Sequence, residues 1–254
     1  MAEEKRPTDD IKIKSSFLKK LDNYWYHYKW HTIISLFVII AVLICSLQMC
    51  TKDEYDIEVM YAGPHNLNDK QTVLDIEGSF AALAKDTSGD GKVTVNLVSY
   101  WINSSLTSTE DGEEISKDNL GYSAYQSADN QKLFVEEIKT GNITVCLLSP
   151  ELFRMMDEGA WFMRVTDVFP ELAAYEEDVC VHDADGKINR FGVVLSKTEF
   201  GDQPGLSALP DDTVLCVSKQ TAQGFWLFGK KQAEKHQNAT ELFSNAMALG
   251  KKED

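Results

Sequence analysis

The hydrophobic pattern of the chain contains one long, uninterrupted apolar run, residues 30–51. This run has no Asp, Glu, Lys or Arg, and its centre, residues 33–47, is almost wholly Ile, Leu, Val, Phe and Ala. A bilayer core of about 30 Å requires about 20 residues of helix at a rise of 1.5 Å per residue. The pattern therefore predicts a single transmembrane helix over residues 30–51, with the lipid bilayer as its partner.

The residues on either side of this run predict its orientation. Positive charge close to a span stays on the cytoplasmic side, and the acidic stretch that begins at residue 53 has no basic excess. The long basic start and the lack of a small-residue cleavage site favour an uncleaved signal-anchor over a cleaved signal peptide. We therefore expect a plasma-membrane protein with a cytoplasmic segment at 1–29 and an extracellular domain at 52–254. The flank close to the run, from residue 12 onward, carries Lys12, Lys14, Lys19, Lys20 and Lys29, against Asp22.

The first half of the outer domain alternates between strand and helix patterns. Period-two alternation indicates strands, and apolar residues three and four apart indicate helices. Such alternation is typical of a parallel α/β layer with right-handed crossovers. The predicted elements are a strand at 55–61, a helix at 67–85, a strand at 92–100, a helix at 129–140 that Asp129 caps, a strand at 143–148 and a helix that Ser149-Pro150-Glu151 opens and that runs to about 158.

In the second half of the domain the sequence pattern indicates antiparallel strands. Two short strands, 179–182 and 188–196, flank an Asp-Ala-Asp-Gly turn that is typical of a hairpin. A strand at 211–218 and an amphipathic helix at 230–249 follow. The sequence therefore predicts an α/β domain with a mixed sheet covered by helices, and the polar segment at about 103–121 predicts a mobile loop.

The charge of the chain excludes one class of partner. The net charge is −15 at pH 7, and the first 50 residues carry +2 of it, so the outer domain carries −17. A domain this acidic does not bind nucleic acid by counterion release. The three cysteines of this domain, Cys146, Cys180 and Cys216, form no complete disulfide framework because their number is odd. One disulfide is allowed, but the sequence does not choose its pair.

Four segments carry a resemblance to a known family. QKLFVEEI (131–138) followed by GNITVCLLS (141–149), then VTDVF (165–169) and FGVVLS (191–196), resemble consecutive parts of bacterial extracytoplasmic solute-binding proteins. The resemblance covers residues 53–249 in the order of elements. It implies a domain like one lobe of a periplasmic-binding-protein type II fold, since about 200 residues provide one lobe rather than two. The basic-aromatic flank, span and acidic domain together also resemble uncharacterised single-span membrane proteins of Gram-positive bacteria.

Polar and aromatic residues at the strand ends are the candidate ligand site. In open α/β sheets, ligands bind outside the carboxyl ends of the strands. If a pocket forms there, its lining would come from these ends; the alternative is ordinary loop and packing residues. The candidates are Tyr61, His65, Tyr100, Trp101 and Ser149.

A second candidate is a calcium loop. Asp86, Ser88 and Asp90 occupy positions one, three and five of an EF-hand-like loop, with a glycine at position six. The twelfth position, which supplies a bidentate Glu in such loops, is Leu97 here. A plain helix-to-strand turn is therefore the competing interpretation, and we expect no resident metal or cofactor.

The chain carries no established catalytic motif. It has no Gly-x-Ser-x-Gly, His-Glu-x-x-His, P-loop or Gly-x-Gly-x-x-Gly sequence. We therefore expect a non-enzymatic, membrane-anchored extracytoplasmic protein that recognises a small solute, a peptide or a partner protein. The competing classes are a structural subunit of a membrane complex and a cell-surface enzyme.

Overall fold

The structure is a computed structural model that describes residues 16–50, 55–103, 122–141, 143–220 and 222–252. Within these ranges, side chains are described for residues 23–46, 55–103, 123–141, 143–220 and 232–252. The chain divides into two compact units, Met1–Asp53 and Glu54–Asp254.

The described part of the first unit is one long helix, α1 (Ser16–Cys50). Its stretch Asn23–Ser46 is long and apolar enough to cross a membrane, and none of that stretch is buried. Two hydroxyls within it bond to their own helix: Thr32 Oγ1 donates to the Tyr28 carbonyl at 3.0 Å, and Ser46 Oγ donates to the Val42 carbonyl at 2.8 Å. Such local bonds satisfy polar groups where water is absent.

The second unit is built on one mixed β-sheet, as the alternation of patterns predicts. Within the described residues the strand order is β2-β1-β3-β6-β5-β4. β1 pairs in parallel with β2 and β3, and the pairs β3–β6, β6–β5 and β5–β4 are antiparallel. The strands are β1 (Ile57–Gly63), β2 (Val95–Trp101), β3 (Val145–Leu148), β4 (Cys180–His182), β5 (Ile188–Val194) and β6 (Val214–Val217).

Helices cover both faces of this sheet. Ile76 and Phe80 of α2 share one core cluster with Leu242 of α8, and Phe134 of α3 shares the opposite cluster with Phe153 of α4. The crossovers β1–α2–β2 and β2–α3–β3 run in opposite directions, so a common right hand puts α2 and α3 on opposite faces. The helices are α2 (Lys70–Ala81), α3 (Tyr122–Thr140), α4 (Pro150–Met155), α5 (Glu158–Trp161), α6 (Val165–Val168), α7 (Glu176–Val179) and α8 (Ala222–Ala248).

The predicted start of α3 at Asp129 is wrong, because this helix begins at Tyr122. Its first turns are polar, but Ala124 and Ser127 are buried against the sheet. The Ser127 hydroxyl accepts a hydrogen bond from the Asn103 backbone N–H at 2.8 Å. Tertiary contacts therefore extend the helix beyond its apolar pattern. Apart from Asn103, the segment predicted as a loop at 103–121 lies outside the described residues.

The segment between β5 and β6 packs tightly against α2. The rings of Phe80 and Phe200 meet edge to face with centroids 5.2 Å apart, and Ser79 Oγ donates to the Pro204 carbonyl at 2.8 Å. Gly205 has a φ of 77°, and a Cβ at this position would lie 2.6 Å from the backbone nitrogen of Ile76. This glycine therefore allows both the turn and the close approach to α2.

Substitution of Gly205 separates these two requirements. We expect Gly205→Ala to lower the free energy of unfolding by roughly 3 kcal/mol, since strain at positive φ adds to a clash with backbone. Gly186 is the matched control, because it has a φ of 79° and nothing within 4 Å of the added Cβ. Gly186→Ala should cost only about 1 kcal/mol. Denaturant unfolding of the full-length chain measures both, and equal losses would contradict the close approach.

Candidate functional site

Tyr61 fills the carboxyl edge of the parallel strands, the predicted ligand site. Its side chain is 1% exposed, and a Cβ on Gly63 would lie 2.7 Å from its hydroxyl. That hydroxyl accepts a hydrogen bond from the His65 backbone N–H at 3.1 Å. Burial, with a smaller contribution from the charge of Asp212, raises the pKa of Tyr61 to about 12 despite this bond. Tyr61 is thus a neutral side chain packed over the strand end.

Three of the other predicted site residues, His65, Trp101 and Ser149, lie near Tyr61 at the carboxyl end of β1. The Trp101 indole donates to the Pro64 carbonyl at 2.9 Å, and the Ser149 backbone N–H donates to the Ala62 carbonyl at 2.9 Å. Ser149 is buried, whereas the His65 side chain is exposed. The structure therefore gathers Tyr61, His65, Trp101 and Ser149 around Gly63.

Tyr100 is separated from this group. It packs against the cluster on the α3 side of the sheet, whereas Tyr61 belongs to the cluster on the α2 side. Burial raises the pKa of Tyr100, and the charge of Glu137 raises it further. The two tyrosines consequently face different layers and do not share a pocket.

The oxygens of the candidate calcium loop are used within the turn itself. The Asp86 carboxylate accepts from the Gly89 N–H at 2.6 Å, from the Gly91 N–H at 2.8 Å and from Ser88 Oγ at 3.0 Å. The bonds from Gly89 and Gly91 are the main cause of a lowered pKa for Asp86. Asp90 Oδ1 accepts from the Lys92 N–H at 2.8 Å. Across the described ranges, no three His, Cys, Asp or Glu side chains are grouped to hold a metal.

Asp56 anchors this turn from behind, and the sequence pattern gave no role to it. The residue is fully buried, and its Oδ1 accepts from the Thr87 N–H at 2.7 Å, Thr87 Oγ1 at 2.8 Å and the Ser88 N–H at 2.9 Å. Its Oδ2 accepts from the Thr94 N–H at 2.8 Å and Thr94 Oγ1 at 3.0 Å. Burial alone would raise the pKa of Asp56, but these bonds outweigh it, so the pKa is lowered.

Asp56 should make the domain sensitive to acid. Because its pKa is lower in the folded chain than in the unfolded chain, its stabilisation is present above the ordinary value of about 4 and is lost as pH falls through the folded pKa. Asp56→Asn should lower the free energy of unfolding at pH 7 by about 2–4 kcal/mol and weaken the pH dependence. Asp90→Asn, an exposed residue of the same turn, is the control and should cost about 0.5 kcal/mol. An Asp56→Asn variant with the stability and pH profile of the parent would contradict this assignment.

The structure contains a shallow depression at the opposite edge of the sheet. It has a volume of about 260 Å³ and lies where β6 ends beside α6 and α8. Backbone bonds hold its rim: the Met163 N–H donates to the Val217 carbonyl at 2.9 Å, and the Lys219 N–H donates to the Trp161 carbonyl at 2.7 Å. The lining residues are Met163, Arg164, Asp167, Lys219, Gln220 and His236.

The depression is locally basic within an acidic domain. Arg164 and Lys219 are exposed, His236 is half-buried, and Asp167 is the acidic residue of the lining. The His236 ring places Nε2 2.7 Å from the Ser218 carbonyl oxygen, which fixes the ring on the depression wall. Lys219 Nζ bonds to the Gly159 carbonyl. Two exposed positive charges beside one negative charge favour an anionic group over a cation.

No local sequence signal predicts this depression. Its residues come from separate elements between residues 163 and 236, and only the antiparallel return of β6 brings them together. No protein-family model, no curated protein and no solved structure matches this chain.

Proposed function

We propose that this chain is a single-span membrane protein whose extracytoplasmic domain binds a ligand and has no catalytic activity. The observation that carries the proposal is the exposed apolar stretch Asn23–Ser46, 24 residues with none buried. A helix of that length is about 36 Å long, enough to cross the hydrocarbon core. An apolar surface of this extent is unfavourable in water, and a bilayer covers it.

The flanking residues support a cytoplasmic N-terminus. The lysines at positions 12–29 precede the apolar stretch, and positive charge is retained on the cytoplasmic side. Tyr24, Trp25, Tyr28 and Trp30 are exposed on α1 at the same end. Such rings favour the headgroup region, because one part of each ring is apolar and another part is polar. The domain at 52–254 would then lie outside the cell.

The geometry of the outer domain supports binding of an anionic group. The carboxyl edge of the parallel strands is filled by Tyr61, whereas the depression beside Arg164, Lys219 and His236 is open and basic. A carboxylate or phosphate group pairs well with guanidinium and ammonium donors. The proposal keeps the resemblance to one lobe of a solute-binding protein, with which a mixed sheet covered by helices is compatible. A single lobe cannot close over its ligand, which is consistent with a shallow contact.

The first prediction concerns the anchor. Full-length chain expressed in bacteria should remain in the membrane pellet after alkaline carbonate extraction, because α1 is held by the hydrophobic effect rather than by charge. Protease added to the outside of spheroplasts should digest the domain at 52–254, whereas the membrane should protect residues 1–29 from digestion. A variant with Ile39→Lys and Ile40→Lys is the control and should become extractable. Recovery of the parent chain in the soluble fraction would exclude the anchor.

The second prediction concerns the ligand. Thermal unfolding of the full-length chain in neutral detergent should shift upward with succinate, citrate or phosphate at constant ionic strength, because a ligand of the folded state stabilises it by mass action. Arg164→Gln and Lys219→Gln should each weaken the apparent affinity roughly fivefold, as expected for one charge contact near a protein surface.

The control for this experiment is Lys132→Gln. Lys132 lies on α3 beside Asp129, is largely exposed and does not line the depression. Its replacement by Gln changes the net charge by the same amount as the two depression variants. The affinity of this control variant for each anion should equal that of the parent chain. An equal loss in the control and depression variants would indicate general charge screening, and the absence of any shift would exclude a small anion as the ligand.

A further inference from the structure

The seam between β3 and β6 joins the parallel half of the sheet to its antiparallel half. In this pairing Cys146 is directly opposite Cys216. Both thiols are fully buried and are free in the structure. They also belong to the same core cluster, on the α3 and α4 face. The fold therefore places two cysteines, 70 residues apart in the chain, side by side.

The register of the seam sets the distance between the two residues. The Ser218 N–H donates to the Thr144 carbonyl at 3.0 Å, which places a cross-strand backbone bond between these two opposite residues at the end of the seam, while the Thr144 N–H donates to the Glu58 carbonyl at 3.3 Å. Bonded and non-bonded pairs alternate in antiparallel strands, which makes Cys146–Cys216 a bonded pair with a Cα separation of about 5.5 Å. Disulfides span Cα separations of about 4.4–6.8 Å. Cys216 Sγ lies 3.8 Å from the Cys146 carbonyl oxygen, so the Cys216 side chain reaches the backbone of the residue opposite it.

The third cysteine of the domain has a different environment. Cys180 is fully buried at the start of β4, but it belongs to the cluster on the opposite face of the sheet. Two strands, β5 and β6, separate β4 from β3 in the sheet order. The fold thus brings Cys146 and Cys216 together and keeps Cys180 apart. The sequence alone does not choose which two of the three cysteines could pair.

We propose that Cys146 and Cys216 form a disulfide by exchange with a disulfide-bearing oxidant such as oxidised glutathione. In the first step one cysteine thiolate attacks the oxidant, forms a mixed disulfide and releases one glutathione thiol. The second cysteine then attacks its neighbour's sulfur, closes the protein disulfide and releases the second glutathione thiol. Two protein thiols are oxidised, the oxidant's disulfide bond is reduced, and both protons leave on the two glutathione thiols.

Burial decides when this exchange takes place. Burial, and then the neighbouring Cys146 thiol, raises the pKa of Cys216 well above its ordinary value, and a protonated thiol is a poor nucleophile. The exchange therefore takes place before the seam closes or when β6 separates from β3. An extracytoplasmic location, as proposed above, supplies an oxidising environment for that step. Once formed, the bond closes a long loop and ties the two halves of the sheet together.

The test uses the full-length chain in detergent with Cys45 and Cys50 changed to Ala, which leaves the three domain cysteines. Reduced protein is held a few degrees below its unfolding midpoint with oxidised glutathione. It is then quenched in acid, alkylated in denaturant and digested for mass spectrometry. We expect a peptide pair that joins Cys146 to Cys216, and an unfolding midpoint higher by roughly 5–10 °C than that of the reduced chain.

Two variants serve as matched controls. Cys180→Ser removes a buried thiol from the other face and should leave the cross-link intact, whereas Cys216→Ser should remove it without a new link between Cys146 and Cys180. The same oxidant should modify all three cysteines of the parent in denaturant, which shows that it is active. Alkylation of Cys146 and Cys216 as unpaired thiols after the treatment, or a link that involves Cys180, would overturn the proposal.

Discussion

The domain depends on the burial of its central parallel strands on both faces. Every residue of β3 is buried, and in β1 only Glu58 is partly exposed. A strand of this kind has no solvent face, so helices must cover the sheet above and below. Right-handed crossovers satisfy this requirement with α2 on one face and α3 on the other. α8, the last helix, completes the cover beside α2.

The antiparallel half of the sheet determines where a ligand has access. At the carboxyl edge, where α/β sheets commonly bind ligands, the Tyr61 ring turns back over Gly63 and closes the space. β6 runs against β3, so its end, with Lys219 and Gln220, lies at the opposite edge of the sheet. Because β6 is antiparallel, the exposed polar residues after it lie at the amino edge of the parallel strands. The rule for parallel sheets, which expects ligands at the carboxyl edge, does not predict this position.

Local patterns predict much of this fold but little of its candidate site. The strands that flank the Asp183–Gly186 turn and the helix between β1 and β2 follow from period-two and helical spacing, which depend on neighbouring residues. The start of α3 does not, because Ser127 is held by Asn103 across a segment of the chain that carries no apolar signal. Asp56 was equally invisible: in sequence it is one more acidic residue after the apolar run, and only folding surrounds it with five donors.

The net charge of the domain and the local charge of the depression also differ in sign. The outer domain carries a net charge of −17, which predicts repulsion from anionic lipid and from nucleic acid over most of its surface. Against this background the lining of the depression differs from the average of the domain, because it carries two exposed cations, Arg164 and Lys219, beside one carboxylate. The position of these residues in the fold therefore produces a locally basic surface that the composition of the domain does not indicate.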